Sequence, residues 1–129
     1  MNGKYLLDTN IVIALFANDA SVKQQIIQAR EVSIPATVIG ELFYGAFKSG
    51  RSKANIAKLE GFATANTIIG SGLETGKQYG KIKHRLRKKG TPIPENDIWI
   101  AAIAMEHDLT LVSRDEHFTK VVDLKRVFW

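Results

Sequence analysis

The sequence predicts a single α/β domain over residues 1–129, built as three layers with helices on both faces of a short, mostly parallel central sheet. Three observations carry that expectation. Short β-rich runs alternate with helical ones from end to end, the order that a parallel sheet requires. The first apolar run, Tyr5-Leu6-Leu7, stops at an acid, Asp8, and a second run over residues 11–16 follows at once. A buried strand therefore feeds almost directly into a helix. No internal repeat, low-complexity tract or linker divides the chain, and its 129 residues suffice to bury about two-thirds of the surface the unfolded chain exposes.

Each element has its own warrant. Tyr5-Leu6-Leu7 has strand character, and Asn10 is the expected N-cap of the first helix. Asn18-Asp19-Ala20-Ser21 breaks the pattern, with Ser21 placed to cap a second helix whose Val22, Ile26 and Ala29 share a face. Residues 31–34 read as a short strand ending at Pro35. Thr37 then caps a helix from Val38 to about Lys48, closed by Gly50. Ser52 caps the next, whose apolar stripe is Ile56, Leu59, Phe62 and Ala63. Thr67-Ile68-Ile69 is a further strand before Gly70-Ser71-Gly72. A long helix over residues 73–89 ends at Gly90, and Pro92 and Pro94 stiffen the loop that follows. Asn96 caps a mostly apolar helix from Asp97 to about His107, with Trp99 in its core. Asp108 and Leu109 turn into a strand over residues 110–113, then an acidic loop over 114–118, and a last strand lies around 125–128.

The composition, 45% hydrophobic and 24% charged, is that of an ordinary globular protein. The absence of cysteine removes disulfides and thiolate metal sites, and fits a reducing compartment, so a cytoplasmic location is expected. The longest apolar runs, over residues 11–17 and 98–105, fall far short of the roughly 20 residues a membrane span needs. The start, Met1-Asn2-Gly3-Lys4-Tyr5, lacks a signal-peptide pattern because the apolar stretch meets Asp8 too soon. A net charge of +5 and a pI of about 9.6 favour a polyanionic partner, most simply nucleic acid, or an acidic protein. Seven of the eighteen lysines and arginines lie between Lys77 and Lys89.

The acids are the informative residues. Asp8 ends the first strand, Asp97 opens the apolar helix, and Asp115 follows the fourth strand by two residues. Glu41 sits one turn inside its helix among Val38, Leu42 and Gly45, where a charge needs a partner. Each has an ordinary reading: a turn or capping acid, a helix-start acid, a loop acid, the partner of a distant lysine. If the first and fourth strands are neighbours, however, Asp8 and Asp115 emerge at one edge, and the helix from Asp97 begins there too. No lysine or arginine adjoins Asp8, Glu41 or Asp97 in sequence; of the four acids only Asp115 has one beside it, Arg114. Carboxylates within roughly 5 Å repel by a few kcal/mol at an intermediate dielectric, so such a cluster needs protons or a cation. All-oxygen ligands select Mg²⁺, Mn²⁺ or Ca²⁺. Thr9, Asn10, Asn96 and Ser113 flank the acids and are placed to orient them.

Leu7-Asp8-Thr9-Asn10, Glu41 within a helix, Asn96-Asp97 opening Ile98-Trp99-Ile100-Ala101-Ala102, and Ser113-Arg114-Asp115-Glu116-His117-Phe118 together resemble the PIN-domain ribonucleases, and within them the VapC toxins of prokaryotic toxin–antitoxin pairs. The resemblance runs from about Tyr5 to Phe128. It implies a PIN-like fold and an endonuclease acting on RNA with one or two Mg²⁺ or Mn²⁺ ions. It carries over Asp8, Glu41, Asp97 and Asp115 as the catalytic and metal-holding set; Asp115 is the least uniform of these, and Glu116 adjoins it. It also implies a homodimer and an antitoxin that occupies the active-site groove.

On that reading the helix over 73–89 is the strand-holding surface. Lys77, Lys81, His84 and Lys88 share a face, with Arg85 and Arg87 beside them, while Tyr79, Ile82 and Leu86 point another way. A solvated surface helix is the alternative. Phe43, Tyr44 and Phe47 are placed to meet a partner or to pack in the core. His84, His107 and His117 are scattered and read as surface or structural residues, not a zinc site. Two rival functions stand beside the nuclease: a receiver-like phosphoacceptor domain, and a non-catalytic RNA-binding module of the same fold.

Overall fold

The computed structural model describes residues 3–129. Met1 and Asn2, where the reading of the leader begins, lie outside the described residues. The strands are β1 (Lys4–Leu7), β2 (Glu31–Pro35), β3 (Thr67–Ile69), β4 (Thr110–Val112) and β5 (Arg126–Val127). They form one sheet in the order β3-β2-β1-β4-β5, and every pairing is parallel. The helices are α1 (Thr9–Phe16), α2 (Ala20–Gln28), α3 (Ala36–Phe47), α4 (Ser52–Thr64), α5 (Leu73–Lys88) and α6 (Glu95–Glu106).

β1 occupies the centre. Leu6 lies in register with Ser33 on one side and Leu111 on the other. Successive side chains of a strand point to opposite faces, and both Leu6 and Leu7 are fully buried, so both faces of the sheet are covered. The chain steps from β1 to β2 to β3 in one direction and then crosses back to β4. Right-handed crossovers therefore put α1–α4 on one face and α5 and α6 on the other. Phe16 of α1 meets Phe62 of α4 edge-on at 5.1 Å between centroids, tying the first layer together. The direction of winding reverses between β1 and β4, and the carboxyl edge at such a switch is where open α/β sheets leave a crevice.

β1 and β2 run directly into α1 and α3, and in five helices the cap falls one or two residues before the polar residue that the sequence suggests. Asp8, not Asn10, caps α1, its Oδ1 accepting the Thr9 N–H at 2.8 Å. Asp19, not Ser21, caps α2 by accepting from the Val22 N–H. Pro35 and Pro94 hold the N-cap positions of α3 and α6, and Arg51 that of α4, none with a side-chain cap. Thr37, Ser52 and Asn96 therefore lie inside the first turns. Proline suits the position because its fixed φ matches the extended cap backbone and no N–H is lost from the helix.

Three helices end in Schellman motifs, at Asn18 (φ 62°), Gly90 (φ 71°) and Asp108 (φ 53°). In the second, the Thr91 N–H reaches the Leu86 carbonyl at 2.9 Å and the Gly90 N–H that of Arg87 at 3.1 Å. Gly50 takes no such conformation; α3 stops at Phe47 with Lys48 as its C-cap.

α6 is the most buried helix: Ile98 and the whole run from Ile100 to Ala104 are in the core. Trp99 departs from expectation. It is half-buried and stacks on Tyr79 of α5 at 4.1 Å. Residues 116–120, expected as loop, form a short 3-10 helix pinned by the buried Phe118. Among the described residues no helix is long and apolar enough to cross a membrane.

Candidate active site

β1 delivers Asp8 to the switch point. The Asp8 N–H still bonds the Val112 carbonyl at 3.0 Å, so the residue is the last held by the sheet and its carboxylate is buried behind the crevice. β4 ends at Val112, one residue earlier than expected, yet the Ser113 N–H still bonds the Val127 carbonyl of β5 at 3.1 Å, and its side chain faces inward. Its hydroxyl, fully buried, donates to Asp8 Oδ2 at 2.7 Å and accepts the Asp115 N–H at 3.0 Å. One serine thus fixes both strand-end acids relative to each other.

Glu41 reaches the same edge from α3, where Thr9 Oγ1 donates to its Oε1 at 3.2 Å. Asp97 is the third residue of α6, where the helix N-terminus favours negative charge. Asp115 Oδ1 accepts the His117 N–H at 2.9 Å and so caps the 3-10 helix. Asn10 Oδ1 accepts the Arg114 N–H at 3.2 Å, holding the loop that carries Asp115. Asn96 is exposed and makes no hydrogen bond to the acids among the described residues.

The electrostatics follow from this convergence. Burial pushes the Asp8 carboxyl above its usual range; bonds from Ser113 and the Thr9 backbone pull it back, and the charge of Asp115 pushes again. Burial raises Glu41, opposed by the Thr9 hydroxyl and reinforced by Asp8 and Asp97. Burial also raises Asp97, opposed by His117 and reinforced by Asp8 and Asp115. Asp8 and Asp97 thus each raise Glu41, and the charge of Asp115 reaches both Asp8 and Asp97. Among the described residues no lysine or arginine makes an ion pair with any of them. Arg114, the one cation beside any of these four acids in sequence, turns its guanidinium away, to Asp19 at 2.9 Å and the Trp129 carbonyl at 2.7 Å. A cluster of hard oxygens with no lysine or arginine paired to it fits a divalent cation.

His117 is on the surface, as the sequence suggests, but sequence reasoning missed its contact with the acids. Its Nδ1 lies 2.9 Å from Asp97 Oδ2 and 3.1 Å from Asp115 Oδ1, at the mouth of the cluster. The available signal was its spacing, two residues after Asp115 and directly before an apolar anchor, Phe118.

Loss of the Ser113 hydroxyl is expected to be costly. Ser113→Ala leaves a buried carboxylate oxygen without its donor, a penalty of about 1–3 kcal/mol. Chemical denaturation in chelator measures it, and unchanged stability would mean that the hydroxyl does not hold Asp8.

α5 runs back along α6, so its basic C-terminal half lies beside the start of α6. Lys83 Nζ bonds Glu95 at 3.0 Å and Tyr79 Oη at 3.1 Å, and Tyr79 also donates to Glu95. Of the predicted RNA-holding set, Lys77 pairs with Glu74 at 3.2 Å and Arg85 approaches Asp123 at 3.8 Å. Lys81, His84, Arg87 and Lys88 are exposed, while Ile82 and Leu86 are buried as expected.

On the other flank, α1, α3 and α4 enclose an open groove of about 340 Å³ that begins at Thr9 and Glu41 and is walled by Ile13, Phe16, Leu42 and Leu59. The aromatic triplet does not line it. Phe43 packs against the core, and Tyr44 and Phe47 are exposed on a neighbouring face. The apolar wall comes instead from Ile13 and Phe16 of α1, Leu42 of α3 and Leu59 of α4, which meet only once the helices have packed.

This fold and acidic crevice define a class. The PIN-domain family matches residues 5–124, and the chain belongs to that family. Within it the likeness is to the VapC ribonucleases. The chain is 37% identical to Ribonuclease VapC2 of Haemophilus influenzae over 98% of both chains. It is 30% identical to the tRNA(fMet)-specific endonuclease VapC of Shigella flexneri, again over 98% of both. Among solved structures it superimposes on VapBC2 of Rickettsia felis bound to a promoter DNA fragment, with TM-score 0.88, 29% identity and coverage of 97% and 98% of the two chains. The DNA-bound VapBC of Salmonella typhimurium gives TM-score 0.91 at 26% identity, covering 100% of this chain and 99% of that one.

Proposed function

We propose that this protein is a divalent-cation-dependent endoribonuclease, the toxin member of a toxin–antitoxin pair, working in the cytoplasm. Asp8, Glu41, Asp97 and Asp115 are its catalytic set and hold one or two ions, Mg²⁺ or Mn²⁺. The observation that carries this reading is the meeting of four carboxylates from four separate elements at the sheet's switch point, with no lysine or arginine paired to them among the described residues. A bound divalent cation would supply Lewis-acid polarisation of the scissile phosphate and acidify an attacking water. The chain's own part is positioning. Ser113 fixes Asp8 and the Asp115 backbone, Thr9 steadies Glu41, and Asn10 anchors the loop before Asp115.

The exposed cations of α5 supply the RNA-holding surface, because they lie beside the start of α6, where Asp97 stands. Counter-ion release at single-stranded RNA contributes a slope of about −0.7 per neutralised phosphate in a plot of log affinity against log salt. Replacing Lys81, Arg87 and Lys88 together by Ala is expected to flatten that slope by about 2, measured by RNA titration at several salt concentrations. An unchanged slope would assign the helix to solvent.

The VapBC structures that this chain resembles are toxin–antitoxin complexes, which supports a cognate antitoxin as protein partner. The groove from Glu41 to Leu59 suits an apolar segment of such a partner, and exposed Tyr44 and Phe47 suit a second copy of this chain in a homodimer. A receiver-like phosphoacceptor reading fits less well, because receiver sheets run 2-1-3-4-5 and this one runs 3-2-1-4-5. A purely RNA-binding module would leave the coupled acids without work.

The test is induced expression of the wild type beside Asp97→Ala, with RNA ends mapped genome-wide. Growth arrest with discrete new 5′ ends in the wild type alone is the expected result. Identical end profiles from the two proteins would remove the nuclease reading.

A further inference from the structure

We propose that His117 is a cation ligand, its Nδ1 completing with Asp97 and Asp115 a mixed nitrogen–oxygen site that takes Mn²⁺ in preference to Mg²⁺. The inference rests on the acidic crevice being a cation site, and adds a donor to it. One ligand atom from each of Asp97, Asp115 and His117 can be chosen so that all three lie within 4.8 Å of one another. The imidazole Nδ1 is 2.9 Å from Asp97 Oδ2 and 3.1 Å from Asp115 Oδ1. Adjacent donors of an octahedral ion with bonds of about 2.1 Å are about 3.0 Å apart, so the atoms already stand at coordination spacing.

The imidazole is presented, not incidental. Asp115 Oδ1 accepts the His117 N–H at 2.9 Å, which sets the backbone at the start of the 3-10 helix. Phe118, 1% exposed, anchors the next residue in the core. The His117 side chain is 45% exposed, so the ring lies at the crevice mouth, where an entering ion meets it. Chemistry then selects the ion. Mg²⁺ takes oxygen ligands and retains its waters, whereas imidazole is a good donor to first-row transition ions, of which Mn²⁺ tolerates carboxylates best. The competing account is that His117 only hydrogen-bonds the two carboxylates and is displaced when an ion enters.

Binding separates the two without reference to cleavage. Mn²⁺ and Mg²⁺ affinities are measured by calorimetry on the wild type, His117→Ala and His117→Gln. Electron spin-echo spectroscopy of the Mn²⁺-loaded protein reads directly coordinated nitrogen. The expected result is a ¹⁴N coupling in the wild type that both variants lose. Mn²⁺ affinity should fall by about tenfold or more in the variants, with Mg²⁺ affinity changed less than about twofold. Mn²⁺ bound without nitrogen coupling, or bound as tightly or more tightly by His117→Ala, would overturn the role of His117 and leave the acidic site standing. Failure of the wild type to bind either ion would overturn both.

Discussion

Replacing Asp8 by Asn is expected to lower RNA cleavage by at least about a hundredfold at saturating Mn²⁺ while leaving the protein folded. The size follows from the place of Asp8 at the end of β1, among the coupled carboxylates. Even partners that only orient a metal ligand are worth about 10–100-fold, so a buried ligand itself should exceed that range. The fold should survive because Asn is as good an N-cap as Asp and can keep the bond from the Thr9 N–H. Ser113 Oγ can accept from the new amide. Removing a charge that burial disfavours should also hold or raise the melting temperature in chelator. Single-turnover kinetics on a defined RNA, with circular dichroism as the folding control, measures both. Wild-type cleavage by a highly purified, folded Asp8→Asn protein would take Asp8 out of the site.

Divalent cation is expected to stabilise the protein by about 2.7 kcal/mol when present at a hundred times its dissociation constant near neutral pH. The reason lies in the direction of three shifts. Asp8, Glu41 and Asp97 are all raised above their ordinary values, 3.8 for Asp and 4.5 for Glu. Between the ordinary value and the raised one, the folded state binds more protons than the unfolded state. Stability of the cation-free protein from these groups is therefore greatest in acid and falls as pH rises through that window. Asp19, Glu95 and Asp108 shift the other way; the pairs of Glu95 and Asp108 are largely open to solvent and that of Asp19 with Arg114 is partly so, and solvent screens their effect. A cation reverses the loss, and only when the carboxylates are ionised.

Melting curves from about pH 4.5 to 7.5, in chelator and in Mn²⁺, should diverge as pH rises. Glu41→Gln keeps an acceptor for Thr9 and should melt above the wild type in chelator at neutral pH, converging with it in acid. Curves that coincide with and without cation at every pH would show that the cluster holds no ion.

Much of this architecture was legible because the strands are short, apolar and bounded by acids. The run Tyr5-Leu6-Leu7 ending at Asp8 marked both the central strand and the crevice, and alternation of strand and helix implied the parallel sheet. The caps were harder. Asn10, Thr37, Ser52 and Asn96 are good capping residues, but the cap falls one or two residues earlier: at Asp8 and Pro35, where a strand runs straight into the helix, and at Arg51 and Pro94, where another helix precedes. His117 was illegible for another reason. Its contact with Asp97 spans 20 residues and exists only because α6 begins beside the end of β4. Arg114 shows the converse: adjacent to Asp115 in sequence, its guanidinium binds the Trp129 carbonyl and Asp19 instead.

The bond between Ser113 and Asp8 joins residues 105 positions apart, and the middle strand of the sheet cannot complete its second ladder until β4 exists. On the ribosome, a nascent chain that stops short of Ser113 lacks Asp115 and the hydroxyl that seats Asp8. Assembly of the acidic crevice thus waits on β4: a growing polypeptide has no complete cluster of acids until that strand has left the exit tunnel and paired with β1.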